Sequence, residues 1–256
     1  MRNPASFWNA LPPSSANKNV WQTDAPEDRN VQAENSPLAE TPFPEKPSEN
    51  QNQKEDSMNE KTARTATINR NTSETQIQMS LALDGTGRSS LDLNVGFLEH
   101  MLTLLAKHSG MDLILNAKGD THVDFHHLTE DTGIVLGETL RKALGNKAGI
   151  RRYGFFILPM DETLVEIAVD FGGRPYFVFN ADFPTPKVGD FDTELIRDFW
   201  HGFSCAALCN LHINLRYGQN SHHIAEAIFK CAARAIRSAI EMDPRLHDIP
   251  STKGVL

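Results

Sequence analysis

The chain contains one structural unit twice, and this duplication restricts the fold more than any other feature of the sequence. The matching segments are residues 74–85, 97–120 and 126–144 in the first copy, and residues 162–173, 195–220 and 222–240 in the second. Each copy starts with Glu-Thr and an alternating strand, passes through a helical pattern into a second alternating strand, and ends in an amphipathic helix. The pattern predicts an α+β fold of internally duplicated sheet-plus-helix units, with the helices packed between two sheets.

A polar segment precedes the duplicated region. Residues 1–65 are dominated by Asn, Ser, Pro, Glu, Gln and Lys, with hardly any apolar clusters. Because such a segment cannot bury enough apolar surface to offset its ordering entropy, we predict a disordered polar tail. We predict one domain over residues 66–256, made of two half-repeats at 66–148 and 149–256.

Charge and hydropathy exclude several classes of partner. The net charge of −8 and the pI near 5.7 provide no basic surface for nucleic acid or for an anionic membrane. No apolar stretch approaches the roughly 18 residues needed to cross a bilayer. We therefore expect no nucleic-acid partner and no membrane association.

The cysteines and the start of the chain bear on its compartment. The three cysteines are Cys205, Cys209 and Cys231, and no secretory signal or organelle transit peptide is recognisable. We therefore expect reduced thiols and a cytoplasmic protein. Cys205 and Cys209 are spaced for one helical face, which leaves metal ligation open, but free cysteine is among the most buried residue types. We interpret these two as small buried apolar residues without a chemical role.

The closing helix of each copy begins with paired histidines, in HHLTED (residues 126–131) and HHIAEA (residues 222–227). An imidazole and a carboxylate four residues apart share one face of a helix and can bind one metal ion. The pairs with this spacing are His126 with Glu130 and His222 with Glu226. Successive side chains diverge by about 100°, so the second imidazole of each motif points elsewhere. We expect His127 and His223 to reach a second ion each, bound mainly by the other unit.

The duplication also locates a further ligand. His100 lies 26 residues before His126, and Asp198 lies 24 residues before His222. Either residue type can coordinate a divalent ion, and His201, one turn further along, is a weaker candidate. Imidazole and carboxylate ligands without thiolate fit Mn²⁺, Fe²⁺ or Zn²⁺, and this choice stays open. The alternative is that the paired histidines only cap or solvate the start of a helix.

Six segments of known type occur in order and are spread along essentially the whole chain after residue 66. They are RNTSET (70–75), GFLEHML (96–102), HHLTED (126–131), GFFILPMDETLVEIAVDFGGRPY (154–176), NSHHIAEAIFK (220–230) and IPSTKGVL (249–256). Together they resemble the imidazoleglycerol-phosphate dehydratase family. The resemblance implies ribosomal protein S5 domain 2-like halves, two Mn²⁺ ions per active site, and a homo-oligomeric cage of 24 subunits with active sites between subunits.

The resemblance also implies a ligand set for each ion. One ion takes His100, His127, His222 and Glu226, and the other takes His126, Glu130 and His223. The family commonly has His where this chain has Asp198. The resemblance therefore makes Asp198 the candidate for the fourth ligand of the second ion.

The activity implied by the resemblance is that of a hydro-lyase in L-histidine biosynthesis. It converts D-erythro-imidazole glycerol phosphate to imidazole acetol phosphate, with a metal-bound imidazolate expelling the hydroxyl and Glu74 as general acid/base. The implied substrate-binding residues are Glu74, His100, His108, Arg152, Arg174, Lys230, Ser251, Thr252 and Lys253. The position of the last three near the carboxyl end suggests a flap that becomes ordered on the substrate.

Two other functions stay open from the residues alone. The same two ions could activate water in a dinuclear metal-dependent phosphate-ester hydrolase. Alternatively, the ions could only join subunits, in a metal-storage or assembly module. Without the resemblance, Glu74 is more readily interpreted as an exposed strand-edge residue, and each phosphate-binding candidate as a solvated surface residue.

Overall fold

The structure, a computed structural model, describes residues 63–256. The predicted tail lies outside the described residues, apart from residues 63–65. The first half contains β1 (Thr65–Asn71), β2 (Thr75–Ala82), β3 (Ser89–Asp92), α1 (Gly96–Ser109), β4 (Asp112–Gly119) and α2 (His126–Leu144). The second half contains β5 (Tyr153–Met160), β6 (Thr163–Asp170), β7 (Tyr176–Asn180), β8 (Lys187–Val188), β9 (Phe191–Asp192), α3 (Leu195–Ala207), β10 (Asn210–Tyr217) and α4 (Ser221–Ile240).

The two halves form sheets with the same strand order. The first four-stranded sheet has the order β1-β2-β4-β3, and the second has the order β5-β6-β10-β7. In both sheets the first three strands of this order are antiparallel, and the last pair, β4 with β3 or β10 with β7, is parallel. The fold class predicted from the duplication is therefore confirmed.

Each sheet turns one apolar face towards the helices. Strand β2 buries Ile77 and Met79 and exposes the glutamines between and before them. Strand β6 buries Val165, Ile167 and Val169 in the same alternation. Since successive side chains of a strand point to opposite faces, this spacing gives each sheet a face that must be covered.

The four helices pack across the two halves. Helix α2 lies against α3 and covers β1 and β2, whereas α4 lies against α1 and covers β5 and β6. Helices α2 and α3 approach closely because α2 has glycine at their contact: a Cβ on Gly137 would lie 2.5 Å from the carbonyl oxygen of Phe203. A larger residue there would push the helices apart. Over residues 63–256, no helix is long and apolar enough to cross a membrane.

The β8–β9 hairpin of the second half adds an aromatic contact between the helix starts. Phe191 of this hairpin is buried, and its ring centroid lies 5.3 Å from that of Phe97 in α1 and 6.5 Å from that of Phe125, which precedes α2. The ring of Phe97 in turn lies 5.4 Å from that of His222, at the start of α4. The contacts join the starts of the three helices that carry most of the predicted metal ligands.

The prediction that Cys205 and Cys209 are buried is correct for Cys209 and wrong for Cys205. Cys209 and Cys231 are buried, and burial raises the pKa of each thiol to about 12. Cys205 is exposed, because it lies on the same face of α3 as the exposed residues Arg197 and His201. Its Sγ lies 3.6 Å from Nε2 of His201.

Candidate metal centre

Three of the predicted ligands converge where α1 meets the start of α4. We call His100, His222 and Glu226 the α4 cluster. Nε2 of His100 lies 2.6 Å from Oε1 of Glu226, and Nε2 of His222 lies 3.4 Å from the same oxygen. One donor atom from each of the three residues lies within 4.8 Å of the other two. Imidazole and carboxylate donors at this spacing can share one divalent ion.

An internal cation holds the carboxylate of Glu226. Its side chain is only 9% exposed, and Nζ of Lys230 lies 2.5 Å from Oε2, so that Oε1 is the oxygen next to the imidazoles. Although burial opposes ionisation, hydrogen bonds from Lys230 and His100 lower the pKa of Glu226 to about 2. The carboxylate is therefore charged at neutral pH. Burial and the positive charges of Lys230 and Arg234 lower the pKa of His108, a predicted substrate-binding residue in α1.

The equivalent place in the first half brings together a second set of donors, more widely spaced. We call His126, Glu130 and Asp198 the α2 cluster. Nε2 of His126 lies 3.6 Å from Oε2 of Glu130, and its Nδ1 lies 3.7 Å from Oδ2 of Asp198. The three side chains are 43%, 41% and 26% exposed. The structure thus places Asp198 beside His126, while His201 lies beside Cys205.

The second imidazole of each histidine pair points away from the first. The two rings of a pair are nearly perpendicular, with interplanar angles of 87° in α2 and 90° in α4. Nδ1 of His127 lies 3.0 Å from Oδ2 of Asp120, and Nδ1 of His223 lies 2.7 Å from Oε2 of Glu162. These hydrogen bonds raise the pKa of both imidazoles. An imidazole held by a carboxylate through one nitrogen can present its other nitrogen to a metal ion.

Glu74 lies in the turn before β2, next to His127. Its Oε2 is 3.9 Å from Nδ1 of His127, and its side chain is 52% exposed. The hydroxyl oxygen of Thr72 accepts hydrogen bonds from the amides of Glu74 and Thr75, which closes the turn. The hydroxyl of Thr75 donates to the buried carboxylate of Asp131 in α2. The turn that carries Glu74 is therefore attached to the helix that carries His127.

The sequence did not predict three carboxylates that hold residues of the site in place: Asp120, Asp131 and Glu162. The duplication contains a signal for Glu162, because this residue occupies the same position in the second Glu-Thr pair as Glu74 does in the first. Asp131 and Asp120 gave no such signal. Asp120 follows β4, and it meets His127 only because the intervening turn returns the chain to the start of α2.

The predicted phosphate-binding residues differ in exposure. Arg174 and residues 252–253 are exposed, and Ser251 is half-buried. Arg152 is only 14% exposed, and Lys230 is bound to the α4 cluster. Within residues 63–256, Lys230 is the one member of this set with a hydrogen bond or ion pair to either cluster. The common role of these residues in binding a phosphate stays a prediction.

The donors of both clusters fit a divalent transition ion. Each cluster combines imidazole nitrogen with carboxylate oxygen, a mixture that suits Mn²⁺, Fe²⁺ or Zn²⁺. The α4 cluster offers three donor atoms, so a fourth ligand for an ion there would come from outside the cluster. A further imidazole can be this fourth ligand, and two imidazoles, His127 and His223, are held by carboxylates outside both clusters.

Sequence comparison connects these residues with proteins of known name. The sequence model of the imidazoleglycerol-phosphate dehydratase family matches residues 93–236, which include both clusters. The imidazoleglycerol-phosphate dehydratase of Rhodopirellula baltica is 54% identical over 200 residues, which are 78% of this chain and 99% of that relative. The protein of the same name from Trichlorobacter lovleyi is 55% identical over 193 residues, which are 75% of this chain and 99% of that relative.

Solved structures lead to the same group of proteins. The imidazoleglycerol-phosphate dehydratase of Staphylococcus aureus is similar to this chain with a TM-score of 0.64 and 42% identity, covering 70% of this chain and 99% of its own. The Pyrococcus furiosus structure, in complex with (S)-C348, has a TM-score of 0.65 and 35% identity, covering 74% of this chain and 100% of its own. Both are therefore matched over essentially their whole length.

Proposed function

Because the chain belongs to the imidazoleglycerol-phosphate dehydratase family, we propose that it uses two Mn²⁺ ions per active site to convert D-erythro-imidazole glycerol phosphate to imidazole acetol phosphate. Membership of the family makes the chain a hydro-lyase of histidine biosynthesis. The manganese dependence, the ligand sets and the proton transfers go beyond that membership.

The observation that carries the proposal is the position of the two clusters. Each lies at the start of a histidine-bearing helix, in equivalent places of the duplicated halves, and each combines imidazole with carboxylate. In both, a helix of the other half supplies one member: α1 supplies His100, and α3 supplies Asp198. This arrangement supports two similar ion sites, since a chance surface cluster would not recur at the equivalent place.

Each ion is completed by an imidazole from a second subunit. One ion takes His100, His222 and Glu226 from one chain and His127 from another, and the other ion takes His126, Glu130 and Asp198 from one chain and His223 from another. The hydrogen bonds that turn His127 towards Asp120 and His223 towards Glu162 support this sharing. When bound, the ions supply Lewis-acid stabilisation of the negative charge that develops on the imidazole ring of the substrate. Shared sites require a homo-oligomer, which we propose is a cage of 24 subunits.

Glu74 transfers the proton. The hydrogen to be removed is bound to the carbon next to the one that carries the departing hydroxyl, and it is not acidic by itself, so a positioned base is required. Glu74 has an exposed carboxylate on a turn closed by Thr72, and it lies 3.9 Å from the ring nitrogen of His127. The carboxylate takes the proton from carbon and, as the general acid, delivers it to the departing hydroxyl, which leaves as water. The enol that remains tautomerises to the ketone.

The substrate phosphate is bound by cationic side chains and by the segment near the carboxyl end. Arg174 and Lys253 are exposed, so their guanidinium and ammonium groups are available to phosphate oxygens. Ser251 and Thr252 add hydroxyl donors beside Lys253. We assign the protein to the cytoplasm, in agreement with its three unpaired cysteines.

Turnover of the chelator-treated protein with and without added Mn²⁺ tests the proposal. Imidazole glycerol phosphate is assayed beside a panel of phosphate esters, and we expect metal-dependent dehydration of the first and no release of phosphate from the others. Release of inorganic phosphate from the esters would favour the dinuclear hydrolase instead.

The variant Glu74→Gln separates an enzyme from a metal-storage or assembly module. We expect kcat to fall by about 10²–10⁴-fold in a particle that keeps its metal content and native mass. Glu138→Gln, which removes a carboxylate two turns beyond Glu130 in α2, is the control and should keep its activity. If Glu74→Gln matched that control in every property, Glu74 would have no role in proton transfer.

A further inference from the structure

Arg152, the residue before β5, forms hydrogen bonds with two distant parts of the chain. Its Nε donates to Oδ1 of Asp170 at 2.7 Å, and its Nη2 donates to Oδ2 at 3.1 Å, so the guanidinium forms a two-pronged pair with the carboxylate. Its Nη1 donates to the carbonyl oxygen of Pro250 at 2.9 Å. The side chains of Arg152 and Asp170 are 14% and 22% exposed, so solvent competes little for these bonds.

The backbone of Arg152 is held as well. The residue has a φ of 71°, a conformation that is uncommon for a residue other than glycine. Its amide donates to the carbonyl oxygen of Ala239 at 2.8 Å, and its own carbonyl oxygen accepts from the amide of Phe171 at 3.2 Å. The unusual backbone and the partly buried pair with Asp170 therefore set the direction of the guanidinium.

The first half contains a counterpart of this arrangement. Arg64, which precedes β1 as Arg152 precedes β5, donates from Nε and Nη2 to the two carboxylate oxygens of Asp84, at 2.9 and 2.7 Å. Its Nη1 donates to the carbonyl oxygen of Ile240 at 2.7 Å. In both cases a carboxylate orients the guanidinium so that one N–H donates to a backbone carbonyl oxygen. Arg64 reaches Ile240, the last residue of α4, and Arg152 reaches Pro250, ten residues later in the chain.

The segment 249–256 has few other hydrogen bonds, and its last residue, Leu256, packs against Gly173, where a Cβ would lie 2.5 Å from the carbonyl carbon of Leu256. Its remaining hydrogen bonds are internal, from Ser251 to Ile249, from Gly254 to Ser251, and from Lys253 to Ser251. Among the described residues, the bond from Arg152 to Pro250 is the one hydrogen bond that joins this segment to the body of the chain. The residue after Pro250 is Ser251, the first of the three predicted phosphate ligands at this end of the chain.

We propose that Asp170 is a positioning residue for the substrate. By pairing with Arg152, it aims Nη1 at Pro250 and holds residues 251–253 where they can bind the phosphate. This inference rests on the proposed function for the role of those three residues, whereas the attachment itself rests on the contacts of Arg152. Asp170 touches neither the substrate nor a metal ligand in this scheme, and its effect on turnover passes through Arg152.

Asp170→Asn tests the inference, with Asp84→Asn as the matched control. The change removes one charge and weakens the two-pronged pair, so we expect KM for imidazole glycerol phosphate to rise by about 10-fold or more, with kcat within about twofold of wild type. Asp84→Asn makes the same chemical change at the attachment of Ile240, and we expect it to leave KM unchanged. Asp170→Glu restores the carboxylate and should recover part of the loss.

A second measurement reports on the segment without using activity. Trypsin cleaves after Lys253, and mass spectrometry of the assembled protein detects the loss of residues 254–256. We expect faster cleavage at this site in Asp170→Asn than in wild type or in Asp84→Asn. If Asp170→Asn does not fold, the cleavage assay alone is repeated on Arg152→Lys, because a single ammonium cannot span Asp170 and Pro250 together. Its KM is not used, because Arg152 is itself a predicted substrate-binding residue.

The two measurements also separate this inference from the proposed function. Faster cleavage with a higher KM supports the positioning role. Unchanged cleavage shows that Asp170 does not hold the segment, and the inference is then wrong even if the protein is an active, manganese-dependent dehydratase. Faster cleavage with an unchanged or lower KM also overturns it, because residues 251–253 would then not need Arg152 in order to bind the substrate.

Discussion

The α4 cluster and the α2 cluster occupy equivalent places in the two halves, yet their carboxylates are held very differently. Glu226 is 9% exposed and lies 2.6 Å from its nearest imidazole, whereas Glu130 is 41% exposed and lies 3.6 Å from its own. The residue one turn beyond each glutamate differs as well, since it is Lys230 in α4 and Ile134 in α2. An ammonium at this spacing can pair with a buried carboxylate, and an isoleucine cannot.

The two clusters have similar ligands but differ in how far those ligands are held in place before an ion binds. The α4 cluster has donors that already contact one another, with Lys230 holding the outer oxygen of Glu226. In the α2 cluster the donors are separated by more than a hydrogen-bond distance, and no cation faces Glu130 from the position one turn along. We expect the α4 cluster to keep its geometry without an ion, and the α2 cluster to contract around one.

Replacing the two glutamates should produce the largest difference. Glu226→Gln removes a charge that contacts two imidazoles and an ammonium, so we expect loss of bound metal and a fall in kcat/KM of more than about 10³-fold. For Glu130→Gln we expect a smaller fall of about 10–100-fold, because this proposed ligand is more exposed and lies further from its imidazole. Metal analysis and steady-state kinetics on both variants measure this. Equal losses would mean that the tighter contacts of Glu226 have no consequence.

Mixed assemblies test whether each cluster is completed from another chain. His127→Ala and His223→Ala should each be inactive alone, because each removes an imidazole from every shared site. In particles that contain both variants in equal amounts, about a quarter of the sites combine only intact donors, so we expect about a quarter of wild-type activity. Co-expressed and purified particles are assayed for turnover and metal content.

A second mixture provides the control for this experiment. His126→Ala and His127→Ala damage donors contributed by the same chain to a shared site, so their mixture should restore nothing. Recovery in both mixtures, or in neither, would contradict the exchange of imidazoles between subunits.

Much of this site could be predicted from spacing and duplication. The i and i+4 pairs follow from helical geometry, and the position of Asp198 follows from that of His100 in the other half. The supporting contacts could not be predicted, because they join residues that only the tertiary fold brings together. Glu162 meets His223 across 61 positions, and Arg152 meets Pro250 across 98.

Lys230 illustrates the same limit within a single helix. Its spacing from Glu226 allows an ion pair, but a surface lysine at that spacing would contribute little and could equally serve a phosphate. Burial decides which role the ammonium has in the structure: the Lys230 side chain is 17% exposed, and it contacts a carboxylate that is 9% exposed. The sequence contains the spacing but does not reveal the burial.

The smallest expected effect concerns the stability of the metal-free protein. Lys230→Met removes the cation that faces the buried carboxylate of Glu226, and loss of such a charged hydrogen bond costs on the order of 2 kcal/mol of unfolding free energy at pH 7. Ile134→Met is the control in the α2 cluster, because it changes the equivalent side chain without removing a charge. Urea unfolding of chelator-treated protein, at one protein concentration, measures both variants.

The pH dependence of the same unfolding distinguishes a charge effect from a packing effect. The pKa of Glu226 is lowered from its ordinary value of 4.5 to about 2, against the effect of burial, by hydrogen bonds from Lys230 and His100. A carboxyl whose pKa is lower in the folded state stabilises the fold above its ordinary pKa, and this contribution is lost as the pH falls from about 4.5 towards 2. Lys230→Met should therefore flatten the acid limb of the stability profile, whereas Ile134→Met should leave it unchanged. A loss of stability in Lys230→Met that is constant with pH would assign the effect to packing of the lysine stem, and the contrast between the two clusters would then not be electrostatic.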